Sequence, residues 1–536
     1  MNRKILSVFT SIIVVVGIVF FAIISLLSLL LTTDDSAYRD TPMIVKFAPL
    51  VLIGVSVFIV FLVSPLFKKI KTVSHVKLAR ALLVYGLIVS LLWVIIANVL
   101  PMADSACIVK AAEYLNGDLN PEAVSQWSQG GYLHRYPYQT PLVLFFLLCI
   151  RIAGANSVLL FELFNCITCA ISMFLIVKYT YQISKNNSAA ILSGIIVALF
   201  FPLVLYCTFI YGDIISIPFV LACLYMQSVA LSSRTLKIRY VVWSIIFGTV
   251  AALIKPSMFI VVIAVSIVYL FRFIKKKEAL FIFFAIILIL VAKFAILPIN
   301  SFLESKTKAN LGDGIGTVAW ITMGLGGGRE YIADNGRAEE STSLVLPGYY
   351  DEFLLAIPSG EYSSQKMASL SHEYLTKRLS HFRNDPGFAI SFFYEKFVTE
   401  WTNPLFESLL ASNWRANAEG QYSMRDRPLS IVANSVYYGK LYKLIYYVSD
   451  CVQTVLPFGV LAYLVSHRKN IKYSCMGPII YIIGVAVLYL FWENKSEYFL
   501  VSFLLMIPFS SLGWEHIANC LHPKLALAFR KLRDKS

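Results

Sequence analysis

Hydrophobic stretches recur along this chain from Ile5 to Leu512, and they limit its fold more than any other feature. Many approach the roughly 20 apolar residues with which a helix crosses the ~30 Å hydrocarbon core of a bilayer. Of the 536 residues, 58% are hydrophobic and only 14% are charged. The sequence therefore predicts an all-α polytopic membrane protein, and it excludes a soluble enzyme, a disordered chain and a small secreted domain held by disulfides.

The basic residues predict the topology. The chain has 46 Lys and Arg against 31 Asp and Glu, a net charge of +15, and membrane proteins keep such an excess in their cytoplasmic connections. We therefore place these basic clusters in the cytoplasm: 3–4, 68–80, 178–185, 234–239, 272–277, 467–472 and 524–535. The more acidic connections then lie outside, and the first apolar stretch is expected to be a retained anchor rather than a signal peptide.

Twelve crossings satisfy this charge distribution. The candidate helices are 5–31, 43–67, 79–100, 157–178, 188–206, 214–232, 239–254, 257–274, 279–298, 440–465, 474–492 and 499–518. A further apolar segment, 141–153, is short and contains Arg151. A full crossing there would leave the basic tail outside, so we predict a partial or re-entrant helix, which is tolerated where it is buried in protein or lines a wet cavity. The bundle then has about 12–13 transmembrane helices.

The spacing of the apolar stretches divides the chain into four parts. Residues 1–78 form an N-terminal two-helix addition, and 79–298 form a transmembrane core with a first outside loop at 101–139. A large outside loop follows at 299–439, and 440–536 hold the last helices and a basic cytoplasmic tail. Both outside loops are expected to carry short amphipathic helices.

One such helix is predicted after Asp385, because Pro386 favours a first helical turn. Phe393, Phe397 and Trp401 follow at intervals of four residues and so share one face of the helix. On a loop tethered to the membrane at both ends, that face could lie on the bilayer surface or pack in a small core of the loop itself. The sequence leaves both possibilities open.

Several polar and ionisable residues converge on the predicted outer surface. Such groups are costly near the membrane, which makes them functional candidates. The candidates are Asp104, Arg135, Tyr136, Gln139, Tyr211, Asp213, Lys255, Glu493, Lys495 and Tyr498. Lys255 is placed there because the apolar stretch around it is basic at both ends, at Arg239 and Arg272, and must turn back near its middle.

These residue types fit a site that handles an anionic group and a proton. A carboxylate can act as a general base, and Lys or Arg can bind a phosphate and neutralise it as it leaves. Each residue also has a purely structural interpretation. Lys255 and Lys495 could be interfacial anchors, and Asp104 and Asp213 could cap helices.

The order of these residues resembles a known family. The elements are Asp104 soon after a membrane helix, Tyr136-Pro-Tyr-Gln139, Phe209-Ile-Tyr211-Gly-Asp213, Lys255 and Glu493-x-Lys495-x-x-Tyr498. With them the chain resembles, from about residue 79 to 515, the GT-C superfamily of membrane glycosyltransferases. It is most similar to the bacterial family 39-like branch, which includes protein O-mannosyltransferases and lipid A aminoarabinose transferases. Two positions depart from that pattern, because Glu497 stands where many relatives have Arg, and Ser105 where some have a second acid.

The resemblance implies a GT-C-type helical bundle and an inverting transfer of a sugar from a polyprenyl-phosphate carrier to an acceptor on the outer face. It implies that Asp104 takes the proton of the acceptor hydroxyl, and that Lys255 and Lys495 hold the phosphate. The remaining candidates would bind the sugar and the carrier: Tyr211, Asp213, Glu493, Tyr498, Arg135, Tyr136 and Gln139.

Two other function classes stay open: a flippase or transporter of a lipid-linked sugar, and a polysaccharide polymerase or ligase. Transporters often contain internal repeats and broken helices near the midplane of the membrane. This chain shows no internal repeat, and one of its outside loops has about 140 residues. We therefore expect a glycosyltransferase in the cytoplasmic membrane of a bacterium, with its active site outside. Its partners would be the lipid-linked donor, a cell-wall or surface glycan and the bilayer, without nucleic acid. No cofactor is predicted, and a need for a divalent metal stays open.

Overall fold

A computed structural model of the protein describes residues 2–34, 43–46, 49–232, 237–326, 357, 361–413, 430–493 and 495–533. Some of the predictions fall outside these ranges. They concern Arg234 in a basic cluster, much of the large loop at 299–439, and the end of the basic tail.

The described residues are mainly helical, as their long apolar runs predict. In chain order the α-helices are α1 (Asn2–Leu30), α2 (Pro49–Val63), α3 (Pro65–Ile70), α4 (His75–Ala97), α5 (Asp104–Leu115), α6 (Pro121–Ser125), α7 (Tyr132–Arg135), α8 (Thr140–Ala153), α9 (Ser157–Ser184), α10 (Asn187–Ala198), α11 (Pro202–Leu205), α12 (Gly212–Ser232), α13 (Ile238–Ile254), α14 (Phe259–Lys276), α15 (Leu280–Phe294), α16 (Leu297–Thr307), α17 (Gly316–Leu325), α18 (Ser364–Asn384), α19 (Pro386–Trp401), α20 (Ser408–Asn413), α21 (Ile431–Tyr438), α22 (Lys440–His467), α23 (Gly477–Phe491) and α24 (Leu500–Arg533). Short 3-10 turns lie at Pro137–Gln139, Gly154–Asn156, Tyr206–Thr208, Pro256–Met258, Tyr473–Cys475 and Ser496–Phe499.

Eight stretches within the described residues are long and apolar enough to cross a membrane. They are Leu6–Leu30, His75–Ala97, Pro137–Ser184, Gly212–Ser232, Pro256–Lys276, Leu280–Thr307, Lys440–His467 and Ser496–Leu521. The bent pair Asn187–Ala198 and Pro202–Thr208 makes a ninth if its two pieces form one span. Every predicted segment contains a helix, but α2, α13 and α23 have only 15, 17 and 15 residues. By length and composition the expected 12–13 spans therefore become eight or nine, because about 20 residues are needed to cross the bilayer core.

The short segment at 141–153 forms a helix of its own. This helix, α8, has 14 residues and ends at Gly154, whose φ of 54° breaks it from α9. At ~1.5 Å per residue, α8 is about 21 Å long and shorter than the hydrocarbon core. Its buried face packs against α5, the helix that opens the first loop. This length agrees with a partial segment, and α9, with 28 residues, is long enough to span alone.

The bundle separates basic connections from the polar candidate residues. Helix α14 begins at Phe259, close to Lys255, and carries Lys275 and Lys276 in its last turn. Arg272, near the same end of the helix, pairs with Glu278 just beyond it, with 2.9 Å between nitrogen and oxygen. The positive charges therefore lie at the opposite end of this helix from Lys255, which is the separation that the charge distribution predicts.

A small β-hairpin follows the first helix, although the sequence predicts only helices. Strands Leu31–Asp34 and Met43–Lys46 pair antiparallel. The Thr33 amide donates to the Thr402 carbonyl over 2.9 Å, and the Thr32 hydroxyl lies 2.8 Å from the Tyr446 hydroxyl. The hairpin thus connects the first two helices to the end of α19 and to α22.

The aromatic face of α19 packs against membrane helices at Phe397 and Trp401, whereas Phe393 also packs on the loop helix α18, 5.5 Å from Phe382 between ring centres. The expected core within the loop is therefore confirmed at Phe393 but not at Trp401. The Trp401 ring is fully buried, 5.0 Å from Phe20 on α1 and 5.8 Å from Phe503 on α24 between ring centres. Phe397 lies 6.3 Å from Phe20, and Phe393 lies 6.2 Å from Phe491. This face fixes α19 to the bundle, because it buries its aromatic area among helices far away in the sequence.

Candidate functional site

Two helix ends bring a buried ion pair together. Asp213 lies in the first turn of α12, and Lys255 directly follows the last residue of α13. Lys255 Nζ lies 2.8 Å from Asp213 Oδ2, and both side chains are buried. Gly212 permits this approach, since a Cβ there would lie 2.5 Å from the Ile254 carbonyl oxygen. Lys255 is therefore an inward-facing partner of Asp213 rather than an interfacial anchor.

The ring of Tyr211 links this pair to the first loop. Lys255 Nζ lies 4.6 Å from the centre of that ring, a cation–π distance. The Tyr211 hydroxyl donates to Asp104 Oδ2 over 3.4 Å and accepts a hydrogen bond from the buried amide of Gln139. Burial raises the pKa of Tyr211 well above its usual value, so the phenol stays protonated and remains a donor.

Asp104 stands at the start of α5 and is half-buried. The capping position belongs to Ala103, whose φ is 48°, and no side chain forms a capping hydrogen bond there. Asp104 is therefore no simple cap, although the positive end of the helix dipole favours its negative charge.

The segment between α23 and α24 supplies the other charged candidates. The Tyr498 hydroxyl donates to Glu493 Oε2 over 2.6 Å, and Lys495 Nζ lies 3.7 Å from Glu493 Oε1. Glu407 accepts two hydrogen bonds from Ser496, from its amide at 2.9 Å and its hydroxyl at 3.1 Å. Lys255 Nζ also lies 5.2 Å from the centre of the Tyr498 ring. The structure thus joins this segment to the Lys255–Asp213 pair.

Carboxylates outnumber ammonium groups in this cluster. Burial alone lowers the pKa of Lys495, but the charges of Glu493, Glu497, Asp104 and Glu407 outweigh it and raise that pKa above its ordinary value. Lys495 therefore stays positively charged. The mixture can hold an anion at its ammonium groups and accept hydrogen bonds from hydroxyl groups at its carboxylates.

Arg135 and Tyr136 lie beside this cluster. The Arg135 guanidinium lies 5.4 Å from the centre of the Tyr136 ring, and the Arg135 carbonyl accepts from the Ile315 amide over 3.1 Å. Tyr136 packs against Tyr138 and Trp320 at 5.9 and 6.0 Å.

A cavity of about 380 Å³ lies next to these residues. Its polar and aromatic lining consists of Gln139, Tyr211, Lys255, Glu493 and Tyr498, together with Tyr138, Ser257, Tyr489, Trp320 and Trp492. Its apolar lining consists of Pro256, Phe259, Ile260 and Ile263 around the start of α14, and of Leu488 on α23. Ile263 is also 42% exposed on the surface of the bundle. The lining thus combines charged groups with apolar helix surface, as an amphiphilic ligand requires.

Four further residues at this site were not predicted from the sequence. Trp320 and Trp492 line the cavity, Glu407 binds Ser496, and Lys396 is buried behind Trp492. Trp320, Lys396 and Glu407 come from the large loop, where no motif marks them. Within the described ranges no group of three or more His, Cys, Asp or Glu is arranged to hold a metal ion.

A family model described as a conserved hypothetical integral membrane protein matches residues 1–338. The chain belongs to this family. The match includes the first two helices and the site residues from Asp104 to Lys255, whereas Glu493, Lys495 and Tyr498 lie beyond it. Among curated proteins no match was found. Membership and the apolar helices together establish an integral membrane protein with several membrane helices.

Proposed function

We propose that this integral membrane protein is an inverting glycosyltransferase that uses a polyprenyl-phosphate-linked sugar as donor. The observation that carries the proposal is the cavity beside Lys255, whose lining is both charged and apolar. A lipid-linked sugar phosphate has an apolar chain, an anionic group and hydroxyl groups, and the cavity presents a complementary surface to each. The helix surface around Ile260 and Leu488 would contact the lipid chain, Lys255 the phosphate, and Glu493 the sugar hydroxyls.

Asp104 is the base in this proposal. The acceptor hydroxyl gives its proton to the Asp104 carboxylate while its oxygen forms a bond to the anomeric carbon of the donor. The bond between that carbon and the phosphate oxygen breaks, and the carrier phosphate leaves with the electron pair. Lys255 and Lys495 stabilise the charge that develops on the phosphate. Tyr211 holds Asp104 next to the cavity through its hydroxyl.

The proposed setting follows from the charge distribution. With the basic connections in the cytoplasm, the cavity opens at the outer face of a bacterial cytoplasmic membrane. The acceptor is then a cell-wall or other surface glycan, because such polymers are the abundant hydroxyl-bearing substrates on that side.

Transfer by purified protein in liposomes tests the proposal. The vesicles receive radiolabelled polyprenyl-phosphate sugars and a crude cell-envelope acceptor, and wild type is compared with Asp104→Asn. The matched control is Asp118→Asn, in the same loop, where the side chain is exposed and bonds only locally to Asn120. We expect transfer by wild type and the control, and a loss of at least ~100-fold in Asp104→Asn.

Two results would contradict the proposal. Undiminished transfer by Asp104→Asn would remove Asp104 from the mechanism. Movement of labelled lipid across the bilayer, without transfer from any donor, would identify a flippase instead.

A further inference from the structure

Two stacked tryptophans, here called the aromatic wall, line the 380 Å³ cavity beside Lys255. The rings of Trp320 and Trp492 are stacked, with centres 5.8 Å apart and planes 10° apart. Tyr138 extends the wall, 6.3 Å from Trp320. All three side chains also line a second cavity of about 220 Å³. The aromatic wall is therefore shared between the two cavities.

A buried lysine fixes this wall. Lys396 on α19 is completely buried, and its Nζ donates to the carbonyl oxygens of Gly324 and Trp492, each over 2.6 Å. Gly324 lies on α17, the helix that carries Trp320. One ammonium group thus joins the two backbones that bear the stacked indoles, and bonds to a charged donor are stronger than neutral ones.

Glycine lets the two backbones approach. A Cβ at Gly324 would lie 2.3 Å from the Phe491 carbonyl oxygen, closer than any side chain permits. At the base of the second cavity, Gly314 has a φ of 72°, and a Cβ there would lie 2.8 Å from the Arg135 carbonyl oxygen. The wall and the base of this cavity are therefore held in place by close backbone contacts.

The remaining surface of the second cavity is polar. Arg135, Asp313 and Thr317 line it together with the aromatic rings. Asp313 and Thr317 are exposed, so they are open to a ligand from solvent. Arg135 also lines a third cavity of about 400 Å³ with Gln126 and Gln129, so a longer ligand has polar surface beyond it.

The stacked indoles and the polar lining of the second cavity together favour a carbohydrate over other ligands. The faces of sugar rings carry C–H groups that pack on the electron-rich face of an indole. Their hydroxyl groups donate to a carboxylate and accept from a guanidinium. A peptide segment would instead need exposed backbone partners or deep side-chain pockets.

We propose that the second cavity, lined by Arg135, Asp313, Thr317 and the Trp320–Trp492 wall, binds a sugar ring of a glycan acceptor. The assignment as acceptor rests on the proposed function, whereas carbohydrate binding itself does not. A transferase needs two adjoining substrate sites, and the shared aromatic wall places this cavity directly beside the one lined by Lys255.

Saturation-transfer NMR tests carbohydrate binding without any reaction. The protein is held in nanodiscs and the probes are the methyl glycosides of glucose, galactose and N-acetylglucosamine. We expect saturation transfer to at least one probe, and about tenfold weaker binding in Asp313→Ala, because a hydrogen bond to a charged group is lost. Asp313 lines the second cavity and does not line the one beside Lys255, and its exposed position makes misfolding of this variant unexpected. Trp320→Ala should abolish the signal, while Trp243→Ala, which removes an indole that is 47% exposed on α13, should preserve it.

The transfer assay then separates this inference from the proposed function. If transfer occurs, Asp313→Ala should raise the half-saturating acceptor concentration about tenfold and leave that of the donor unchanged. If no transfer occurs but Asp313-dependent glycoside binding does, the proposed function fails and the sugar site stands. The inference is overturned if no glycoside receives saturation, or if Asp313→Ala binds as wild type does.

Discussion

Lys255 and Asp213 form an ion pair of 2.8 Å whose two side chains are only 7% and 5% exposed. Removal of one member leaves the other charge buried and unpaired, which destabilises a protein by about 3–5 kcal/mol. We therefore expect Lys255→Met to lower the free energy of unfolding by that amount. The double variant with Asp213→Asn should recover most of the loss, because no isolated charge remains.

Unfolding in mixed micelles, followed by circular dichroism, measures this cycle. Lys293→Met is the control, since Lys293 is exposed on α15 and should change stability little. The Asp213→Asn single variant completes the cycle. Losses in the two single variants that sum to the loss in the double variant would show that the pair is not coupled.

The second prediction concerns Lys396 and its role in holding the aromatic wall. Lys396→Met keeps most of the buried volume but removes the donor from the carbonyl oxygens of Gly324 and Trp492. Each buried carbonyl left without a partner costs about 1–3 kcal/mol. We expect lower stability and a red-shifted tryptophan emission as Trp320 and Trp492 separate. Lys377→Met on α18 is the matched control, because that side chain is 60% exposed. An unchanged tryptophan emission in Lys396→Met would contradict the role of Lys396 in holding the aromatic wall.

The stability of the protein should depend on pH because of Glu400, which lies one helical turn after Lys396. It is fully buried, and neither carboxylate oxygen has a hydrogen-bond partner among the described residues. Burial raises its pKa from 4.5 to about 8, although the charge of Lys396 lowers it in part. A group with a raised pKa in the folded state stabilises fully below its unfolded pKa, and this contribution is lost as the pH rises through the folded value.

Wild type should therefore lose stability relative to Glu400→Gln between about pH 5 and pH 8. Thermal unfolding of both proteins across this range measures the difference, in which the titration of groups distant from Glu400 cancels. A difference in Tm that stays constant with pH would show that Glu400 does not titrate in this window.

The sequence predicted the class of fold because apolar length is a local property. It also predicted that Lys255 lies at the same membrane face as Asp213, since basic residues at both ends of 239–272 required a turn between them. It did not predict Lys396 or Glu407, because their partners, Trp492 and Ser496, are about 90 or more residues away and no spacing rule connects them. The packing of Trp401 on α1 and α24 was missed for the same reason.

The hydroxyl of Tyr211 allows a final prediction on the mechanism. Tyr211→Phe keeps the ring, which stacks on Phe209 at 5.2 Å and lies under Lys255 Nζ, but removes the group that donates to Asp104. If that bond orients the base, the rate of transfer should fall about 10-fold or more while the half-saturating donor concentration stays near that of wild type. Initial rates in the liposome assay measure both quantities, with Tyr85→Phe on α4 as control because its hydroxyl bonds only to the Ala198 carbonyl. A transfer rate equal to that of wild type would show that the Tyr211 hydroxyl does not orient Asp104. A change in the half-saturating donor concentration alone would assign Tyr211 to binding of the carrier.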